Sequence, residues 1–374
     1  MSLRPLCGGL SHMVLIPFGQ SFGYASFSRC VMSVTGRLRA LLLLPVLPCV
    51  LSCSAPSVRF GRALGAVCSV SLYGRGGAEC CDEIFARLAG IDAEFDFRNE
   101  VSDVSRVNER ASGEAVVVGD DVLAVLGMAQ RVSVLTGGAF DASVGALVSL
   151  WQVGSDSPRI PSESELSGLL PLVDFRNIVL DYEEKSVRFL MAGMKIDFGG
   201  IAKGFAADEI VRICAMHGIR RAVIDLGGNV YVYGSKKDGS LWSVGIKNPE
   251  MPGSSPLLRI SLPQNSVVTS GVYERFFDEG GERYHHILSP KTGRPVESGL
   301  ASVSVICANS MLADALATGF FVLGTDESLR LLPSLRQEFG IEISAVFIDR
   351  SHIITLSDNF PFDYEILHDG WSVQ

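Results

Sequence analysis

The chain lacks any apolar run of the ~20 residues that a membrane-spanning helix requires; the run at residues 40–51 is too short to cross a bilayer. Basic residues are also scarce: 32 Lys and Arg against 41 Asp and Glu give a formal net charge of −9. Nucleic-acid backbones are held by clustered Lys and Arg, so a nucleic-acid partner is excluded and any anionic ligand must be gripped locally. The nine cysteines include no C-x-x-C pair and no metal-finger spacing, which weakens both redox and structural zinc readings. The glycine-rich segments fit neither the Walker A spacing nor G-x-G-x-x-G. No internal duplication of the kind expected for a two-lobed solute-binding protein is present.

What is present is a chain of 374 residues, 47% apolar and 20% charged, enough for one large body or two tightly packed lobes. Arg37 and Arg39 precede the apolar run, which ends at Ser52-Cys53; this is a secretory signal pattern, and Pro45 and Pro48 count against a buried helix there. Val50-Leu51-Ser52-Cys53 resembles a bacterial lipoprotein signal, which makes Cys53 the acylated N-terminus of the mature chain. The expected organisation is an upstream extension at 1–31, a signal at 32–52 with translation from Met32, and a mature body at 53–374. With Cys7, Cys30 and Cys49 removed and Cys53 acylated, Cys68, Cys80, Cys81, Cys214 and Cys307 remain, and they read as small buried apolar side chains.

Past Cys53, strand and helix signals alternate, which predicts an α+β fold. Residues 78–95 have helical spacing with Ile84, Leu88 and Ile91 on one side, and residues 121–136 read as a helix closed by Gly137-Gly138. Residues 187–195 and 222–225 read as strands, the second turning at Gly227-Gly228 into 230–233. The Ser-, Pro- and Gly-rich stretches at 154–167 and 249–256 read as surface loops.

Four segments carry chemistry. In DFGGIAKGFAAD (197–208) the glycines admit a ligand to the backbone, and Lys203 at a helix start suits phosphate; a plain tight strand-to-helix turn explains the same glycines. In ADALAT (313–318) Asp314 and Thr318 stand one turn apart on an otherwise apolar helix. They can converge on Mg²⁺, which favours hard oxygen ligands; alternatively Thr318 bonds back to its own helix while Asp314 faces solvent. In GGAFD (137–141) Phe140 either lies beneath a planar ligand or fills the core. His285-His286, between strand-like runs, offers a proton carrier near neutrality. Neighbours in a strand face opposite ways, so only one of the two can serve a given site.

Seven segments in order resemble the ApbE-type FAD:protein FMN transferase family: SDVSRVN (102–108), GGAFD with Trp151, DFGGIAKGFAAD, DLGGN (225–229), TSG (269–271) with Tyr273, HHILSP (285–290), and ADALAT. The resemblance implies one compact body of mixed sheets and packed helices with two closely associated lobes. It further implies an enzyme that cleaves the FAD pyrophosphate with Mg²⁺ and attaches FMN to a Thr or Ser of a partner flavoprotein, releasing AMP. Attack by water instead would make it an FAD pyrophosphatase, and loss of turnover would leave a flavin-binding lipoprotein.

By the same resemblance, Asp314, Thr318 and a backbone carbonyl of the Gly200 turn hold the metal. Ala139, Phe140, Asp141, Asp197, Lys203 and Ile287 contact FAD, and His286 is the catalytic histidine beside Asp314. Asn108 is kept, either touching the ligand or bracing a turn; Phe97-Arg98 stands where many relatives carry Tyr. The lipid signal implies a protein anchored through Cys53 on the periplasmic side of the inner membrane.

Overall fold

Alternation along the strands decides the architecture, because side chains in a strand point to opposite faces in turn. The computed structural model describes residues 55–374; the extension 1–31, the start at Met32, the signal 32–52 and the acylation candidate Cys53 lie outside the described residues. Residues Pro56–Gln374 form one unit. Its centre is a nine-stranded sheet, with strands numbered in chain order: β1 (Ser57–Ala63), β2 (Ala66–Leu72), β6 (Ala222–Leu226), β7 (Asn229–Tyr233), β10 (Asn265–Gly271), β13 (Leu300–Cys307), β14 (Ile343–Asp349), β15 (Ile353–Leu356) and β17 (Ser372–Val373), side by side in that order. All neighbours are antiparallel except β15 and β17.

On one face Val70, Ile224, Val303 and Phe347 meet the helices α1 (Gly77–Phe95), α2 (Asp103–Arg110), α3 (Asp120–Leu135), α6 (Ala202–Met216), α7 (Ser310–Leu323) and α8 (Thr325–Phe339). On the other, Val223, Val232, Ile306 and Val346 meet a three-stranded sheet of β8 (Trp242–Ile246), β9 (Leu258–Leu262) and β16 (Asp363–Ile366). The expected α+β body is therefore a pair of apolar layers sharing one sheet. Smaller pieces are a sheet of β3 (Val116–Val117), β4 (Ile178–Asp181) and β5 (Ser186–Phe189), the hairpin β11 (Phe276–Glu279) and β12 (Glu282–His285), and the short helices α4 (Gly145–Trp151) and α5 (Glu163–Leu169).

Register gives this sheet two distinct ends. Ser57 pairs with Leu72, Leu72 with Ala222 and Ala222 with Tyr233, so all four stand at one end. The turns at Gly65 and Gly227-Gly228 stand at the other, about 20 Å away at ~3.3 Å per residue. Both glycines of the second turn have positive φ, as the tight hairpin read from the sequence requires.

The N-terminus of α7 is fully provided for. The carboxylate of Asp208, on α6, accepts the N–H groups of Ser310 and Met311, both at 2.9 Å, and the Asn309 side chain accepts that of Leu312 at 2.8 Å. A helix start leaves its first N–H groups without intrahelical acceptors, so Asp208 joins α6 to α7 rather than serving a ligand. The same two helices touch backbone to backbone at Gly204, where a Cβ would fall 2.2 Å from the Ser310 carbonyl oxygen and 2.6 Å from the Met311 Cα. Gly204→Ala must push α7 away and is expected to cost about 3 kcal/mol or more. Urea unfolding is the check, and an unshifted midpoint would refute the close approach.

Four elements differ from the sequence reading. The strand read at 187–195 ends at Phe189: residues 190–193 are exposed, Gly193 has φ +89°, and nothing is gained by extending the pairing. The residues before Asp197 make only an isolated bridge, Lys195 with Val144, rather than a strand. Within the loop read at 154–167, α5 begins at Glu163 on a capping box, with Ser162 and Glu165 exchanging hydrogen bonds. His285 is the last residue of β12, so the histidine pair straddles a strand end. The five cysteines of the described residues are buried and free, as expected. No helix among the described residues is long and apolar enough to cross a membrane.

Candidate functional site

Asp314 is the most informative side chain of the site. It is 2% exposed inside an apolar helix, which rules out the solvent-facing alternative. A carboxylate so placed needs partners. Its Oδ2 accepts the Gly204 N–H at 2.9 Å, and Lys203 Nζ stands 3.8 Å from Oδ1. Lys203 Nζ also donates to the Gly199 carbonyl at 3.3 Å.

One turn further along α7, Thr318 Oγ1 lies 3.3 Å from Ser270 Oγ at the end of β10, so its hydroxyl is turned towards a neighbouring strand. Opposite it is Gly200, where a Cβ would stand 3.0 Å from Thr318 Oγ1 and 3.2 Å from the Phe140 ring. Carboxylate, hydroxyl and the peptide at Gly200 form a small set of hard oxygen donors with no side chain wedged between Gly200 and Thr318. That donor chemistry fits Mg²⁺, which takes few protein oxygens and keeps other oxygens in its shell.

Asp197 opens the same turn. Its Oδ1 accepts the Gly199 N–H at 2.8 Å. Burial raises its carboxyl above the usual range, opposed by that N–H and by the charges of Arg275, Arg98 and Lys203. Arg275, Arg98 and Lys203 thus stand within electrostatic reach of one turn, Arg98 paired with Asp96 and Lys203 set beside Asp314, and such cations can oppose the charge of an anionic ligand.

His286 belongs to this neighbourhood, since Arg275 and Lys203 both depress it. Burial is the larger cause, and together they hold the imidazole down to about 3. Its Nδ1 lies 3.1 Å from the Arg275 carbonyl oxygen. That oxygen can only accept, so Nδ1 carries the proton and Nε2 keeps a free lone pair, which makes His286 a neutral base. His285 is spent: Nε2 lies 3.0 Å from the Val296 carbonyl, Nδ1 accepts the Ile287 N–H at 3.3 Å, and the ring stands edge-on to Phe321. Burial holds it down to about 4.

The remaining sequence-derived positions brace the site. Both side-chain groups of Asn108 are used on the backbone of Ile196, at 3.0 and 2.7 Å, which fixes the residue before Asp197 and favours the bracing role. Asp141 accepts from Ser143 N, Ser143 Oγ and Phe175 N at 2.7–2.9 Å, while burial raises its carboxyl. Ala139, Phe140 and Ile287 are 4, 4 and 5% exposed, which leaves their side chains little surface to offer a ligand. Phe97 packs against the main core with the Arg98 guanidinium 5.5 Å from its ring centre.

Two functional positions escaped the sequence reading. Ser270 was visible only as part of TSG, and its contact with Thr318 needs the fold. Arg275 lay unremarked in the histidine segment. Its stem passes 3.4 Å from the Cβ position of Gly154 and its guanidinium 2.9 Å from that of Gly65, so two loops far apart in sequence leave room for it. Its backbone carbonyl fixes the His286 tautomer while its charge faces Asp197.

Comparison with known proteins identifies the family and the fold. The sequence profile of the ApbE family matches residues 64–342. An FAD:protein FMN transferase of Treponema pallidum is 37% identical over 304 residues, covering 77% of this chain and 83% of the relative. One of Klebsiella pneumoniae is 32% identical over 272 residues, covering 73% and 83%. Among solved structures, an ApbE protein of Thermotoga maritima superposes with a TM-score of 0.74 at 30% identity, covering 82% of this chain and 98% of that one. The apo flavinyl transferase ApbE of Pseudomonas stutzeri gives 0.70 at 27% identity, covering 81% and 95%.

Proposed function

The chain belongs to the ApbE family, and from that membership and its site we infer that it is an FAD:protein FMN transferase, which takes FAD and moves the FMN half onto a flavoprotein acceptor. The observation that carries this reading is the buried Asp314 carboxylate facing the Gly204 N–H and Lys203, one helical turn from Thr318, which in turn faces Gly200.

The acceptor residue is a Thr or Ser, whose hydroxyl attacks the FMN phosphorus. The new Oγ–P bond forms as the P–O bond to the AMP phosphate breaks, and AMP leaves. The hydroxyl proton passes to Nε2 of His286. Lys203, Arg275 and Arg98 hold the pyrophosphate and oppose its charge. Asp314, Thr318 and Gly200 would hold Mg²⁺, which when bound supplies further charge neutralisation on the phosphoryl oxygens. With water in place of the hydroxyl the same site yields FMN and AMP. The chain is anchored through acylated Cys53 on the periplasmic side of the inner membrane, where the acceptor meets it. Two acyl signals on one cysteine satisfy the requirement for stable attachment.

The full chain incubated with FAD and Mg²⁺, with and without a candidate acceptor, should release AMP and leave covalent flavin fluorescence on the acceptor band. Absence of AMP from both reactions would remove the enzymatic reading.

A further inference from the structure

The end of the sheet remote from the site carries a charge opposite to that of the protein. Arg220 and Arg221 lead into β6, Lys236 and Lys237 follow β7, and Arg75 follows β2, all at strand ends that register places together. Arg75, Arg220 and Lys237 are exposed and the other two half-buried. Between them lies a concavity of about 490 Å³ bordered by Tyr73, Arg220, Arg221, Ser235 and Lys237. The nearby acid Asp238 turns back onto Ser240, accepting from its N–H and hydroxyl at 3.0 and 2.8 Å, while Glu83 pairs with His217.

Apolar and aromatic groups border the same end. Met216, at the close of α6, is 59% exposed and Leu241, just before Trp242, 46%. Tyr73 and Trp242 lie ring to ring at 6.0 Å, with Arg221 over the first and Lys236 over the second. Basic side chains and exposed apolar side chains beside the half-buried Tyr73, which is backed by the buried Trp242, form a composition that settles at a bilayer interface. The chain also enters the fold here: Ser57, the first residue of β1, pairs with Leu72, and it follows Cys53 by only four residues of sequence.

We propose that this end of the sheet docks onto anionic phospholipid headgroups. The inference rests on the acylated Cys53 of the preceding reading, whose lipid tethers the entry to β1 and holds this surface at the bilayer. Each basic side chain near an anionic surface strengthens partitioning by about fivefold.

The test uses the full lipidated chain on vesicles of phosphatidylcholine alone or mixed with phosphatidylglycerol, with amine labelling of Lys236 and Lys237 read by mass spectrometry against Lys291. Labelling of Lys236 and Lys237 should fall on the anionic vesicles only and recover in molar salt. Arg220→Glu combined with Lys237→Glu should abolish protection of Lys236 while AMP release from FAD stays unchanged. Equal labelling on both vesicle types, with the chain bound to both, overturns the docking face and leaves the anchor standing. A chain that floats free of both overturns the anchor and the docking face together, with AMP release still reporting on the transferase. Equal protection by inorganic phosphate without vesicles assigns the concavity to a free anion and overturns the proposal.

Discussion

Asp314→Ala is expected to lower metal-dependent turnover by about 10³-fold or more, because charge stabilisation on a phosphoryl group supplies several kcal/mol and each 1.36 kcal/mol is tenfold in rate. FAD binding should persist, since Lys203, Arg275 and Arg98 remain in place to face the ligand. The substitution also strips the Gly204 N–H of its acceptor, a loss of about 1–3 kcal/mol of stability for a buried donor. Asp314→Asn separates the two effects: its amide oxygen can still accept from Gly204, so unfolding should return towards normal while turnover stays low. Turnover measured against Mg²⁺ concentration, with FAD binding followed by flavin fluorescence, decides the matter. Undiminished turnover in either variant would reject Asp314 as a metal-side residue.

His286→Ala should lower kcat by about 10²–10⁴-fold, the usual worth of a positioned base, with a smaller change in FAD binding. The pH profile is the sharper reading. An ordinary histidine protonates near 6.5, but burial and the Arg275 charge hold this one down to about 3. A lowered value means the base form is already present across the neutral range and is lost only as pH falls towards 3. The profile of kcat/KM, which reports the free enzyme, should therefore show no break from His286 between about pH 5 and 8. A break near 6.5 that disappears in the Ala variant would show an imidazole in ordinary solvent. Equal loss of kcat and FAD affinity would make the residue structural.

Legibility in the sequence followed locality. Asp314 and Thr318 could be placed on one helix face because helix spacing alone sets their relation, and the hairpin at Gly227-Gly228 could be read because its backbone demands glycine. The cysteines were legible by elimination, as no partner spacing existed. What failed depended on burial or on distant backbone. The run 187–195 looked strand-like yet lost its pairing once its residues faced solvent. Asp208 read as part of a ligand motif because nothing in the sequence says that it caps a helix about a hundred residues later. Asn108 was evenly poised between ligand and brace until its partner, Ile196, was known. Arg275 was silent because Gly65 and Gly154, which make room for its side chain, lie more than a hundred residues away along the chain.

The Asp208 clamp reaches beyond the start of α7. It joins the turn bearing Gly199, Gly200 and Lys203 to the helix bearing Asp314 and Thr318, through Ser310 and Met311 and the backbone contact at Gly204. A change that loosens Asp208 therefore displaces both groups of residues together. His286 follows a separate two-stranded ribbon, β11 and β12, and hangs from the Arg275 carbonyl. Arg275, which precedes β11, stands with the base, so two of the cations that face the ligand, Lys203 and Arg275, are divided between the α6–α7 pair and the ribbon.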